Sequence, residues 1–101
     1  MFKRLKQKLG EPVAILCMRY WYRGFVVDVD AEDNSAVLSH AYAIEQTGPA
    51  SAETAMSEDR IPNDICVNIS VIEIVTQPAW VGNGYSPELI KEMKEKYSSK
   101  E

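Results

Sequence analysis

The sequence predicts a mainly β domain, in which about five strongly bent antiparallel strands lie between an N-terminal and a C-terminal helix. Three apolar runs, separated by short polar segments, fill residues 13–44, and a fourth run over residues 65–75 alternates with the period of a β-strand. Apolar residues at helical spacing near both ends predict the helices. With 101 residues, of which 46% are hydrophobic, the chain fits one domain with a single core.

The N-terminal helix is predicted from Phe2 to Leu9, because Phe2, Leu5 and Leu9 repeat at helical spacing and lysines fill the opposite face. Gly10 suits a C-terminal cap of this helix.

The C-terminal helix is predicted over about residues 87–97. Ser86 is a favourable N-cap, Pro87 fits the first helical position, and the carboxylate of Glu88 complements the helix dipole.

The first strand, residues 13–18, is apolar on both faces, which predicts a central or doubly covered strand. In the second strand, residues 20–30, Gly24 predicts a sharp bend, since a residue without a side chain lets another backbone approach closely. The turn-forming residues 30–34 then lead into a third strand over residues 36–44. The second strand alternates beyond its glycine, and its predicted buried face is formed by Phe25, Val27 and Val29.

Residues 46–64 hold almost no bulky apolar side chain before Ile61, which predicts a long mobile loop with a fragment of helix around residues 52–56. In the run that follows, the apolar face changes between Val71 and Ile72. Such a change of face predicts a bulge, a bend or a short break between two strands.

The net charge of −4 is distributed unevenly along the chain. Residues 1–24 carry a net +5, residues 25–79 a net −9, and the remainder is balanced. An acidic chain argues against general affinity for nucleic acid, but a basic face of the first helix could bind RNA locally. A solvated helix face is the alternative for these cations, which are Lys3, Arg4, Lys6 and Lys8.

Cys17 and Cys66 lie in apolar strand-like runs and are interpreted as buried free thiols, with a disulfide as the alternative if their strands are neighbours. Together with His40 they are too few to hold zinc. The sequence shows no nucleophile–base pair and no phosphate-binding loop, so we expect no enzyme, no cofactor and no metal site.

No apolar run approaches the roughly 20 residues that a membrane-spanning helix needs. The cationic N-terminus lacks the apolar region of ~7–15 residues found in signal peptides. We therefore expect a cytoplasmic protein without a membrane partner.

Five residues carry a resemblance to a known family. Gly10, Gly24, Asp30 and Asn34 stand at the spacing of the first motif of Sm/Lsm proteins, and Val37 takes the place of an aliphatic residue three positions after the Asn. The chain therefore resembles an Sm/Lsm protein of a divergent bacterial or phage type. This resemblance implies an Sm-like small open β-barrel.

The second Sm motif is matched only in its apolar frame, by residues 67–69, because its Arg and Gly are missing here. The resemblance covers about residues 2–78. It implies an Sm-like barrel domain over residues 1–78, followed by a C-terminal extension over residues 79–101.

The resemblance also implies a homo-oligomeric ring with an unspecified number of subunits. In such a ring the fourth strand of one subunit pairs with the fifth strand of the next, which removes exposed sheet edges. A monomeric barrel that buries the same strands is the alternative. The expected subunit interface consists of Ile65, Val67, Ile69, Val71, Ile72 and Ile74.

An RNA pocket near the pore is implied as well: Asn34 would bind a base, with Glu32 and Asn68 at the two stacking positions. Acidic Glu32 repels phosphate and Asn68 carries no charge, so stacking worth ~1–3 kcal/mol per base would be lost. Two functions stay open. One is a ring that binds RNA or assists RNA–protein assembly, and the other is a ring-shaped protein-interaction or structural hub that has lost the RNA pocket.

Overall fold

The structure is a computed structural model that describes residues 1–17, 20–44, 58–61, 63–77, 79–82 and 84–97. It confirms a mainly β fold with a helix near each end. Two 3-10 turns, Ile69–Val71 and Ala79–Gly82, lie between the regular elements. Those elements are α1 (Phe2–Lys6), β1 (Pro12–Cys17), β2 (Tyr20–Asp30), β3 (Ser35–Ile44), β4 (Glu58–Arg60), β5 (Ile65–Asn68), β6 (Ile72–Thr76) and α2 (Pro87–Tyr97).

The strands form one antiparallel sheet in the order β4-β3-β2-β1-β6, and β5 also pairs with β3. β5 lies opposite Ser35–Leu38 and β4 opposite Tyr42–Ile44, so both follow the same edge of β3. β5 and β6 are not paired with each other in the described chain, and the sheet is therefore open.

The five predicted strands are present, and β4 is an additional short strand near the end of the predicted loop 46–64. Residues 45–57, including the predicted helix fragment at 52–56, lie outside the described residues.

The bend predicted at Gly24 is present and has a clear cause. A Cβ atom at this position would lie 3.0 Å from the Ser39 carbonyl oxygen and 3.3 Å from the Cα of Ala41. Opposite it, the pairing of β2 with β3 shifts in register, and His40 adopts a positive φ of 52°. A bulge in β3 thus brings its backbone against β2, where only glycine leaves room.

The predicted alternation of β2 is confirmed for Phe25 and Val27, which share one face, and is wrong for Val29. A second shift in register lies between Val26 and Asp28, so the strand changes face there. Val26 and Val29 contact the inner core, whereas Phe25 and Val27 pack on the opposite face of the sheet. A bulge places the residues that follow it on the opposite face from the one that strict alternation predicts. The alternation of the sequence alone does not reveal where such a bulge lies.

The predicted interruption between residues 65 and 75 is confirmed as a break between two strands. The 3-10 turn Ile69–Val71 separates β5 from β6. Asn68 starts this turn, because its side-chain oxygen accepts a hydrogen bond from the Ser70 backbone N–H at 2.8 Å.

The sheet carries a core on each face. The inner core is enclosed by the curved sheet and α1, and includes Leu5, Val13, Ile15, Leu38, Ile69 and Ile72. On the outer face, Phe25 packs with Tyr85 and Met93, and Ala14 packs with Trp21 and Val81. β1 therefore pairs with a strand on each side and contributes side chains to the cores on both faces of the sheet, as its apolar sequence predicts.

The C-terminal helix begins where predicted, since the Ser86 hydroxyl accepts a hydrogen bond from the Leu89 N–H at 3.1 Å. The N-terminal helix is shorter than predicted and ends at Lys6. Beyond it the chain turns, and Gly10, with a φ of 84°, donates its N–H to the Val26 carbonyl at 2.7 Å. That contact directs the chain onto β2 instead of extending the helix.

Replacing Gly24 with alanine is expected to destabilise the domain by about 1–3 kcal/mol, because the new methyl group would press on the backbone of β3. Urea unfolding followed by tryptophan fluorescence measures this change. Gly82→Ala is the matched control, since its Cβ would meet only the Ile90 side chain, at 3.8 Å. Equal unfolding midpoints for the two variants would contradict the role given to Gly24.

Candidate assembly edge and nucleic-acid interface

Three outer strand edges are open in the described part of the chain. β4 and β5 pair only with β3, and β6 pairs only with β1. The outer edge of each strand therefore presents backbone N–H and C=O groups to which another strand can bind.

The residues predicted for the subunit interface fall into three groups. Ile69 and Ile72 lie in the inner core of the same chain, with only 5% and 7% of their surfaces exposed. Ile65 and Val67 are partly buried against that core. Val71 and Ile74 are 41% and 45% exposed, so these two offer the largest apolar contact to a partner.

Ile74 faces outward because of an irregularity in β6. Ile72 pairs with Cys17 and Ile74 with the adjacent Leu16, so Glu73 has no partner of its own on β1. This bulge turns Ile74 away from the face that Ile72 occupies. The alternation of apolar residues in the sequence does not show that the bulge lies at Glu73.

An open groove of about 430 Å³ lies beside the edge of β5. Its lining is mostly apolar and includes Tyr22, Ile61, Val67 and Val71. Ile61 reaches this position because β4 continues the edge, and its N–H donates to the Ala41 carbonyl at 2.8 Å. The groove is thus formed where the sheet fails to close.

Asn34 and Asn68, which the family resemblance assigns to one pocket, do meet. The Asn34 side-chain amide donates to Asn68 Oδ1 at 3.3 Å and to Ser70 Oγ at 2.6 Å. The Asn34 carbonyl also accepts the Ile69 N–H at 2.8 Å. Sequence reasoning missed Ser70, although an Asn-x-Ser sequence is a recognisable turn signal.

Glu32 is exposed on the turn between β2 and β3, the same turn that Asn34 ends. Its N–H and that of Asp33 both donate to Asp30 Oδ1, at 2.9 and 3.2 Å. Asn34 completes the turn with a φ of 53°. Asp30 and Asn34 therefore serve turn formation, as the sequence predicts.

The basic residues of the first helix are distributed over two places. Lys3, Arg4 and Lys6 are exposed on α1. Lys8 lies beyond the end of α1, where its Nζ donates to Gln77 Oε1 at 2.6 Å, next to the end of β6. The basic face therefore extends from α1 to one end of the open β6 edge.

The two cysteines are free, but their environments differ. Cys17 is buried as predicted, whereas Cys66 is exposed, which contradicts the prediction for it. The reason is that β5 is an edge strand whose alternate side chains face solvent. Burial, with a further contribution from the Glu73 carboxylate, raises the pKa of the Cys17 thiol.

A buried arginine on the outer face was not predicted. Arg23 is 3% exposed, and its guanidinium carbon lies 4.4 Å from the Tyr42 ring centre and 4.7 Å from that of Tyr85. Its Nη1 donates to the Val81 carbonyl at 3.1 Å, and the Tyr85 hydroxyl donates to the His40 carbonyl at 2.6 Å. The signal in the sequence is an arginine whose alternate neighbours on one strand are aromatic.

Within the described ranges, no group of three or more His, Cys, Asp or Glu side chains is arranged as metal ligands would be. None of the described helices has the length and apolar character to cross a bilayer.

No protein-family model and no curated protein matches this sequence. Among solved structures, a chain in the crystal structure of the NatC complex bound to CoA is similar, with a TM-score of 0.53 and 14% identity. The alignment covers 88% of this chain and 92% of that one, so the similarity is not limited to a fragment of either. At this identity the comparison shows a shared fold. The fold and its edges define a class, namely small β domains that present open strand edges.

The two thiols are expected to react at different rates. Because the thiolate is the nucleophile, burial that raises the pKa of the Cys17 thiol lowers its reactive fraction near neutral pH. The exposed Cys66 should therefore be alkylated by iodoacetamide first, and Cys17 more slowly, with a rate that rises at higher pH.

Peptide mass spectrometry after timed labelling distinguishes the two sites, with Cys17→Ser and Cys66→Ser as controls. Glu73→Gln should move the pH profile of Cys17 labelling to lower pH, since it removes a charge that raises the pKa of this thiol. Equal labelling rates in the folded protein would contradict the assignment.

Proposed function

We propose that this chain is an Sm-like protein that assembles into a homo-oligomeric ring through the open edges of β5 and β6. The observation that carries the proposal is the pair of unpaired edges at opposite ends of one antiparallel sheet. β5 has four residues and β6 has five, so the two edges are similar in length. Pairing them between copies would satisfy the backbone groups of both.

Side-chain complementarity supports the same assembly. Ile74 projects from the β6 edge of one copy, and the apolar groove lies beside the β5 edge of the next. Inserting an isoleucine into such a groove removes apolar surface from water, which contributes about 25 cal/mol per Å² buried.

The ring would bind RNA or assist RNA–protein assembly, with phosphate contacts from the basic α1 face. The meeting of Asn34, Asn68 and Ser70 supports a polar base-contacting site, because amides and hydroxyls can hydrogen-bond base edges. The proposed role is binding and assembly rather than catalysis, and the proposed location is the cytoplasm.

A protein-interaction hub without RNA is the second candidate. It is favoured by the exposed Glu32 and uncharged Asn68, which stand where the Sm family stacks bases. The similar chain in the NatC complex belongs to a protein assembly, which is consistent with such a role. Recovery of a protein partner that persists after RNase treatment would favour this candidate over the first.

Ile74→Lys is expected to convert the ring to smaller species, because a cation would replace the apolar side chain at the contact. Sedimentation velocity or native mass spectrometry measures the change, and wild type should be an oligomer of defined size. Since Ile74 is 45% exposed, the substitution should change the unfolding free energy of one subunit by less than about 0.5 kcal/mol.

Tyr20→Lys is the matched control for this change. Tyr20 is 47% exposed but lies on β2, which is paired along both sides. A monomeric wild-type protein would refute the ring, and equal effects of both substitutions would refute the assignment of the β6 edge.

Reversing Lys3, Arg4 and Lys6 to glutamate is expected to weaken RNA binding more than the Asn34→Ala/Asn68→Ala double substitution. Phosphate contacts dominate affinity, and each one lost should reduce the slope of log K against log salt by ~0.7 for single strands. Fluorescence anisotropy with short U-rich and A-rich RNAs at several salt concentrations measures both quantities.

The control reverses three lysines of α2, Lys91, Lys94 and Lys96, which changes the net charge by the same amount. A wild-type protein that binds neither RNA even at low salt would exclude the RNA function and leave the protein hub.

A further inference from the structure

The open edge of β5 begins beside an acidic residue, and the open edge of β6 ends beside a basic one. At the start of β5 stands the exposed Asp64. At the end of β6 stands Gln77, whose Oε1 accepts a hydrogen bond from Lys8 Nζ at 2.6 Å. The position of each charge is therefore fixed relative to the end of an edge strand.

The direction of strand pairing brings these two ends together between copies. Every strand pair within the sheet is antiparallel. If β6 of one copy continues the sheet beyond β5 of another in the same antiparallel sense, the start of β5 faces the end of β6. Asp64 of the first copy then approaches Lys8 of the second.

Lys8 is suited to such a contact. An ammonium has three donors, so the bond to Gln77 leaves capacity for a carboxylate. The same Gln77 side chain donates from its Nε2 to a carboxylate oxygen of Glu11 at 2.9 Å. The neighbouring cations of α1 add to a local positive potential, whereas residues 25–79 carry a net charge of −9.

We propose that adjacent copies of this chain are joined by an ion pair between Asp64 of one copy and Lys8 of the next, in addition to strand pairing. This inference rests on the proposed ring and names a contact that sets its direction of assembly. It gives a structural role to the contrast between a basic N-terminal region and an acidic middle region in one sequence.

The test is a charge swap that compares wild type with Lys8→Glu, Asp64→Lys and the variant that carries both changes. Each single reversal turns an attraction into a repulsion and should raise the protein concentration for half-assembly roughly twofold to tenfold at low salt. The double variant should restore assembly to within about twofold of wild type. The wild-type concentration for half-assembly should itself rise with salt, since ions screen exposed pairs.

Lys91→Glu and Glu92→Lys on α2 are matched controls, because α2 packs against the outer face and not on an edge strand. An oligomer that neither single reversal weakens, or that the double variant does not restore, overturns the ion pair and leaves the ring intact. A wild-type protein that is monomeric at every concentration overturns the proposed ring itself.

Discussion

The close approach of the β3 backbone to Gly24 is the constraint on which the rest of this structure depends. Because no side chain separates the strands there, the bulge at His40 can lie against β2 and the sheet can curve sharply. Curvature gives the sheet a concave face that encloses a core and a convex face that needs a cover. The described residues accordingly form one apolar cluster on the inner face of the sheet and two on its outer face.

The cover comes from the C-terminal segment, which is therefore an integral part of the fold. Val81, Tyr85 and Met93 are each less than 9% exposed because they pack on the outer face of β1, β2 and β3. A helix of eleven residues would be marginal by itself, and its packing here supplies the stability that its length does not. Arg23 is buried at acceptable cost because two tyrosine rings and a backbone carbonyl replace its water.

Local signals in the sequence were enough to predict the helices, strands and bends. The exposure or burial of individual side chains depended on long-range contacts, which these local signals do not reveal. The Ser86-Pro87 start of α2, the bend at Gly24 and the break before Ile72 each have a cause within a few residues, so the sequence predicted them. The exposure of Cys66 depends on which strand lies at the edge, and the burial of Arg23 depends on a segment almost sixty residues away. The meeting of Asn34 with Asn68 followed from the family resemblance, whereas their hydrogen bonds to Ser70 needed the folded turn.

The open edges of β5 and β6 differ in a way that bears on how copies would join. β6 carries a bulge with an acidic residue, Glu73, a combination that discourages indiscriminate strand addition. β5 has no charged residue and borders an apolar groove, so it is the more receptive edge. Because the two surfaces are unlike, a contact between them is heterologous, and each copy presents one surface of each kind. Such contacts would close into a ring only if the rotation from one copy to the next divides a full turn evenly, and would otherwise continue as an open filament.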